Sequence, residues 1–238
     1  MRPAGGRPKS PRGDGIISAL KVRNRQPDRM AVYLDGSYAF DLATGLVDEG
    51  GLHTGDLLSR EAQERLLHLD APHRGRSRAL RLLALRDRSR HEVETALRRS
   101  GFEPQVIVDT VDWLTAIGYL DDARFATSYA AERLRAGWGE RRVRAELRRK
   151  GIERDLMQQA VESEGDDPQA AMEGAETVLR LARRRFGRQF GVDPQSAERR
   201  LAGFLLRRGY DWETVGKVAR ALRLETGAGP NDACGSDR

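Results

Sequence analysis

The chain has 238 residues and a formal net charge of +6, with 42 lysines and arginines against 36 acidic residues. Nearly all of the positive charge is arginine, which clamps phosphate and carboxylate groups and therefore suits nucleic acid or an acidic protein groove. Codon bias produces the same excess, so composition alone leaves the partner open. No apolar run reaches the roughly 18 residues of a membrane helix, and the single cysteine, Cys234, excludes a disulfide framework, which fits the cytoplasm.

The first 58 residues predict a tail followed by a small β unit. Residues 1–15 are rich in glycine, proline and arginine, which predicts a disordered tail that lacks the apolar stretch of a signal peptide. Residues 16–22 predict a strand. Two further strands flank Asp35-Gly36, a dipeptide typical of a type I′ hairpin turn. We therefore expect a β-containing extension over residues 16–58.

A short helix and a break are expected next. Ser59 is in position to cap a helix that ends near Leu69. Residues 70–75 include Pro72, which lacks a backbone donor and clashes with the preceding helical turn. The sequence therefore predicts that residues 59–75 form a helix and a linker.

One motif occurs three times in the rest of the sequence. It contains a leucine, two arginines, a glycine and an apolar residue, and its copies lie at residues 97–103, 147–153 and 205–211. An aliphatic residue four positions before each leucine indicates a helix that ends at the glycine, because glycine adopts positive φ without a Cβ clash. We therefore expect Gly151 to have positive φ.

The helical periodicity groups this sequence into three units of three helices each. The units cover residues 76–118, 119–165 and 166–227, and residues 228–238 form a second predicted disordered tail. Each unit is too small to bury its apolar faces alone, so neighbouring units must complete the core. The sequence therefore predicts a mainly α-helical, elongated molecule of three tandem three-helix repeats with a small N-terminal β extension.

Caps and loops are also predicted within these units. Ser89 is placed to cap the middle helix of the first unit, and Asp121 or Asp122 to cap the first helix of the second. The third unit is looser, and we expect it to contain a longer loop over residues 187–194.

The helix predicted over residues 140–150 is strongly basic. Val143 and Leu147 share the stripe that faces the core. Five arginines flank this stripe: Arg141, Arg144 and Arg148 on one side, Arg142 and Arg149 on the other. A surface helix normally mixes charges, so we interpret this arc as a surface for a polyanion; a solvated face that reflects codon bias is the alternative.

The three tryptophans receive separate interpretations. Trp138 lies in a glycine-flanked turn beside the arginines, where we favour packing between helices over stacking on a base or a partner. Trp113 and Trp212 occur at apolar helical spacing and are expected in the core.

The sequence contains no recognisable catalytic constellation. Its four histidines are scattered, and no cysteine or histidine motif has metal-ligand spacing. Asp121 and Asp122 stand where a helix cap is needed, and Gly216-Lys217 lacks the glycine-rich run of a phosphate loop. We therefore expect no metal, no cofactor and no enzymatic activity.

Residues 118–152 carry the most specific pattern in the chain. They read GYLDDARFA at 118–126, RLRAGWG at 133–139 and RVRAELRRKGI at 142–152. This pattern resembles the core signature of the RecX family of bacterial regulators of the RecA recombinase. The first unit, with RSRHE at 88–92, and the hairpin, with VYLDG at 32–36, are similar to the same family, and the resemblance extends over residues 16–225.

The resemblance implies tandem three-helix repeats in a curved molecule that binds in the groove of the RecA–single-stranded-DNA filament. It also implies bridging of RecA protomers and inhibition of strand exchange, ATP hydrolysis and repressor cleavage. RecA and single-stranded DNA are the expected partners of a monomer, double-stranded DNA is left open, and no membrane association is expected. We assign the contact to ten residues: Arg124, Arg133, Arg135, Trp138, Arg141, Arg142, Arg144, Arg148, Arg149 and Lys150.

Two other functions compete with this interpretation. A stand-alone DNA-binding protein, such as a repressor, is compatible with the turns at Gly101 and Gly151, which resemble those of helix-turn-helix motifs. A repressor is expected to be a dimer on a palindrome, and no segment indicates a dimerisation helix. A nuclease is a more distant alternative, because the sequence shows no acidic metal cluster.

Overall fold

The computed structural model describes residues 13–227, so most of the first predicted tail and all of the second, with Cys234, lie outside the described residues. Gly15, which the sequence assigned to the tail, is already the first residue of a strand. The described chain divides into two compact units after Leu120. No helix within residues 13–227 is both long and apolar enough to span a membrane.

A four-stranded antiparallel sheet forms the start of the first unit. Its strands are β1 (Gly15–Arg23), β2 (Gln26–Leu34), β3 (Ser37–Ala43) and β4 (Leu57–Leu58), in the order β3-β2-β1-β4, and a short helix, α1 (Thr44–Glu49), follows β3. Asp35 and Gly36 have φ values of 48° and 76°. A type I′ turn requires positive φ at both central residues, so the predicted hairpin is confirmed.

The helix α2 (Arg60–Leu83) runs without interruption through Pro72, so the break predicted over residues 70–75 is wrong. Ser59 caps this helix as predicted, because its hydroxyl accepts a hydrogen bond from the Ala62 amide at 3.2 Å. A proline inside a helix costs about 3 kcal/mol, since it removes one donor and strains the preceding turn. Burial of both halves of the helix offsets that cost.

Two sets of contacts hold α2 on either side of its proline. Before it, the buried carboxylate of Asp70 accepts hydrogen bonds from the Arg29 guanidinium at 2.6 and 2.8 Å and from the Ala43 amide at 2.8 Å. After it, Gly75 lies so close to Thr110 that a Cβ would approach the hydroxyl oxygen to 2.7 Å. The first half of α2 therefore packs against the sheet, and its second half packs against the helices that follow.

The second half of α2 packs with α3 (Arg90–Arg99) and α4 (Pro104–Ala116) as the first group of three helices. Ser89 caps α3 as predicted: its hydroxyl accepts from the Glu92 amide at 3.2 Å, and the Glu92 carboxylate accepts from the Ser89 amide at 3.3 Å. Trp113 packs partly buried against the core of this group, as expected.

The described part of the second unit contains six helices with two apolar clusters. These helices are α5 (Asp122–Arg135), α6 (Glu140–Arg149), α7 (Arg154–Gly165), α8 (Pro168–Phe190), α9 (Pro194–Arg207) and α10 (Trp212–Thr226). Asp121 is the cap of α5 and accepts from the Arg124 amide at 2.9 Å. Gly151 has φ of 77°, which confirms the left-handed end predicted for α6.

Two expectations for the third group of helices are wrong. Gly187 lies inside α8, and residues 191–193 alone connect α8 to α9, because Phe186 and Phe190 are both buried and hold the helix against the core beyond the glycine. Trp212 is 66% exposed instead of buried. It is the first residue of α10, and the core positions of that helix are taken by Val215, Val218, Ala219 and Leu222.

Candidate polyanion interface

The basic helix α6 is held by two fully buried side chains. Val143 and Leu147 have no exposed surface, so they fix which face of the helix points inward. The cap residue, Gly139, offers no side chain, and its amide instead donates to the Arg208 carbonyl at 2.9 Å. The arginines on the remaining faces are therefore presented by a helix anchored at its start and along its apolar stripe.

The five arginines of α6 differ in how far acidic neighbours neutralise them. Arg144 is 2.8 Å from the Glu140 carboxylate, and Arg149 pairs with Glu146. Arg141, Arg142 and Arg148 are exposed, and no carboxylate of the described residues lies within ion-pair distance of them. These three guanidinium groups form the least neutralised part of the helix.

Trp138 lies at the centre of a group of cations. It is partly buried against the core of α5–α7, which agrees with the packing role favoured from the sequence. The Arg142 guanidinium lies 4.0 Å and the Arg133 guanidinium 5.0 Å from its ring centroid. Arg133 is also 5.0 Å from the Tyr129 ring, and the Lys150 ammonium is 5.1 Å from the same ring. Cation–π contacts of this kind hold charged groups at a surface. Arg133 is in addition 3.6 Å from the Glu132 carboxylate.

Two of the assigned residues lie apart from this group. Arg135 is 3.7 Å from Glu164 and 4.0 Å from Glu173, so acidic side chains surround it. Arg124 lies in the first turn of α5, about 13 Å along the helix from Arg133. The structure thus gathers most of the assigned residues around α6 and leaves Arg135 the least suited to bind an anion.

The electrostatic influence of α6 extends to the start of α10. The pKa of Asp211 is lowered, chiefly because its carboxylate accepts hydrogen bonds from the Thr214 amide and hydroxyl. The positive charges of Arg141 and Lys217 lower it further. This carboxylate caps α10 and does not form an ion pair with Arg141 in the described structure.

The contact that positions α6 could not be inferred from the sequence. A Cβ on Gly139 would lie 2.3 Å from the backbone of Gly209, and a Cβ on Gly209 would lie 2.5 Å from the backbone of Arg142. The Arg208 guanidinium also donates to the Gly137 carbonyl at 3.0 Å. The repeated motif identifies Gly209 as a helix end, but it contains no signal that this end touches the turn before α6.

The chemistry available at this surface is the binding of anions. Guanidinium groups donate several hydrogen bonds in a fixed plane and match phosphate and carboxylate oxygens. Among residues 13–227, no three histidine, cysteine, aspartate or glutamate side chains gather as a metal site would require. Groups of three helices that carry exposed arginines define a helical-repeat protein with an arginine-rich face.

Family comparisons identify these repeats. Three domain models match in tandem: the first three-helix domain of RecX over residues 76–114, the second over 121–161 and the third over 173–218. The chain therefore belongs to the RecX family. The first match begins inside α2, so the second half of that helix is the first helix of the first repeat.

Individual proteins agree with the domain matches. A regulatory protein RecX of Xanthomonas campestris pv. campestris (strain B100) is 36% identical over 164 residues, which cover 65% of this chain and 96% of that protein. A regulatory protein RecX of Clostridium botulinum (strain Alaska E43 / Type E3) is 26% identical over 212 residues, which cover 88% and 97%. A crystal structure of regulatory protein RecX has the same fold, with a TM-score of 0.60 and 22% identity over 87% of this chain and 99% of that one.

Proposed function

We propose that this protein binds the filament that RecA forms on single-stranded DNA and inhibits its recombinase, ATPase and coprotease activities. Membership of the RecX family supports a regulatory role. The proposed protein is a cytoplasmic monomer that regulates by binding and catalyses no reaction of its own.

The observation that carries this proposal is the incomplete neutralisation of α6. Arg141, Arg142 and Arg148 are exposed on one short helix without an acidic partner among the described residues. Arg144 lies three residues after Arg141 and four before Arg148, so these like charges repel one another and destabilise the helix slightly. A bound polyanion would relieve that cost. A filament of protein and DNA presents both phosphate and carboxylate groups.

The geometry also ranks the contributions of these arginines. Arg141 and Arg148 are free to turn toward a partner. Arg142 is held against Trp138, so it is expected to present its charge in a fixed place. Arg144 must first separate from Glu140, and Arg135 from two glutamates, so we expect smaller losses when either is replaced.

The direct test replaces three arginines of α6. In Arg141→Gln/Arg144→Gln/Arg148→Gln the buried anchors of the helix are untouched, so helicity and melting temperature should be preserved. The variant loses two unpaired charges and one that Glu140 partly offsets. The concentration that half-inhibits RecA-catalysed, DNA-dependent ATP hydrolysis should therefore rise by about tenfold or more. The measurement is that inhibition curve with purified RecA.

The matched control removes the same charge elsewhere. Arg65, Arg154 and Arg220 are exposed arginines on α2, α7 and α10, and their replacement by glutamine should leave inhibition nearly unchanged. Arg76 is a poorer control because its guanidinium lies 4.9 Å from the Trp113 ring. Equal inhibition by the α6 variant and the parent would show that α6 does not contact the filament.

A pull-down separates the proposed function from that of a stand-alone DNA-binding protein. The parent protein should be retained by preformed RecA–DNA filaments much more strongly than by the same DNA without RecA. Equal retention on naked duplex DNA would favour the repressor interpretation.

A further inference from the structure

The third repeat contains an arginine-lined groove that the preceding proposal does not use. It lies between α8 and α9 and has a volume of about 410 Å³. Four arginines line it together with a phenyl ring and a glycine: Arg185, Arg199, Arg200, Arg207, Phe204 and Gly203. A groove of this size is within the usual range for binding sites of small ligands or of parts of larger ones.

The charges of this groove are not neutralised within the described chain. Residues 177–210 contain nine arginines and only two acidic residues, Asp193 and Glu198. Asp193 caps α9 by accepting from the Ser196 amide, and Glu198 pairs with Arg223. None of the four lining arginines has a carboxylate of the described residues within ion-pair distance.

Two guanidinium groups converge on the aromatic ring of the groove. Arg185 and Arg208 each lie 5.0 Å from the Phe204 ring centroid. Cation–π contacts hold both charges beside the ring without neutralising them, so they remain available to an anion. Gly203 has no side chain, and the Arg207 guanidinium occupies the space beside it. A Cβ on Gly203 would lie 3.2 Å from Nη1 of Arg207.

Arg208 connects this groove to the turn before α6. Its guanidinium reaches the Gly137 carbonyl, and its own carbonyl accepts from the Gly139 amide. Arg208 therefore contacts both the Phe204 ring of the groove and the turn that precedes α6.

The form of the groove favours single-stranded DNA over two other polyanions. Proteins that read duplex DNA insert a protruding helix or ribbon into its grooves, whereas these arginines line a depression. Single strands are bound in positively charged grooves with aromatic and guanidinium planes, which is the combination present here. An acidic protein partner would be expected to bury apolar anchors, and the ring of Phe204 is already covered by cations.

We propose that the groove between α8 and α9 binds the phosphate backbone of single-stranded DNA. The site goes beyond the proposed function: it should bind DNA whether or not α6 contacts RecA. The variant that tests it is Arg199→Gln/Arg200→Gln/Arg207→Gln in the full-length protein. All three side chains are exposed, so the fold should be preserved.

The measurement is fluorescence anisotropy with a labelled oligothymidylate and no RecA. The variant should bind at least about tenfold more weakly than the parent at low salt. Its log–log salt slope should be smaller by about 2, because each lost phosphate contact of a single strand removes about 0.7. The control variant at Arg65, Arg154 and Arg220 has the same net charge and should change binding by less than about threefold.

Competition defines the occupant. Unlabelled single strands should displace the probe at lower concentration than a duplex of equal length or polyglutamate. Equal weakening by the groove variant and the control variant would overturn the proposal, as would stronger competition by duplex or by polyglutamate.

The RecA assay keeps the two proposals separate. If the groove variant loses DNA binding, this site stands whatever its effect on RecA-catalysed ATP hydrolysis. If the α6 variant inhibits RecA as strongly as the parent, the proposal that α6 contacts the filament is wrong. The proposal for the groove is not affected by that result. A groove variant that binds DNA like the control removes only the present proposal.

Discussion

At the scale of single residues, the absence of a side chain at Gly139 is a structural requirement. Its φ of −79° and ψ of 152° are accessible to any amino acid, so conformation does not demand glycine. Its environment does, because the backbone of Gly209 and Tyr210 lies within 2.4 Å of where a Cβ would be. The close approach of these two turns leaves room only for a hydrogen atom.

Gly139→Ala should therefore lower the free energy of unfolding by about 1–3 kcal/mol through overpacking. Gly216→Ala is the matched control: it lies inside α10, where an added methyl group would meet no neighbouring side chain of the described residues within 4 Å, and alanine should stabilise that helix by up to about 1 kcal/mol. Urea denaturation of both variants measures the difference. A Gly139 variant as stable as the parent would mean that the two turns separate easily.

At the scale of helices and strands, Pro72 shows how packing overrides local preference. Sequence rules place a break at this residue, yet α2 continues for eleven residues beyond it. The halves on either side are fixed by separate contacts, Asp70 with Arg29 and Gly75 with Thr110. The proline is tolerated because both contacts need one continuous helix.

Replacing this proline should reveal the cost that packing offsets. In Pro72→Ala the chain regains a backbone donor and loses the ring clash, so the free energy of unfolding should rise by roughly 1–3 kcal/mol. Denaturant unfolding followed by circular dichroism measures the change. A lower stability would show that the contacts of Asp70 and Gly75 depend on a helix bent by the proline.

Local signals predicted the elements well and their long-range contacts poorly. Asp35-Gly36, Ser89, Asp121 and Gly151 each specify a turn, cap or helix end through their own backbone geometry, and each prediction is confirmed. The Arg29–Asp70 pair joins residues 41 positions apart and has no local signature. The same holds at the candidate site: the arginines of α6 are visible in the sequence, but the glutamates beside Arg135 come from two other helices.

At the scale of the whole molecule, charge is distributed evenly between the two compact units, residues 1–120 and residues 121–238. The first 120 residues contain 19 basic and 16 acidic side chains, and the remainder contain 23 and 20. Net charge therefore does not distinguish the second unit as a binding surface. The arrangement of the charges does, because Glu146 and Glu198, two acidic residues close in sequence to Arg148 and Arg199, pair instead with Arg149 and Arg223.

The second compact unit, residues 121–238, should fold without residues 1–120. Its two apolar clusters draw their buried residues from positions 125–222 alone, and about 120 residues are enough to bury a stable core. A fragment of residues 119–238 is expected to be helical and to unfold cooperatively in urea. A fragment without a cooperative transition would contradict this expectation.

The continuity of α2 has a consequence for the sheet at the start of the chain. A helix of 24 residues is about 36 Å long, and here one end packs under the strands while the other belongs to the first repeat. A flexible linker would let the strands sample many positions, whereas α2 acts as a rigid spacer. Any partner that binds both the first repeat and the sheet therefore meets them at a fixed separation. The length of α2 sets that separation.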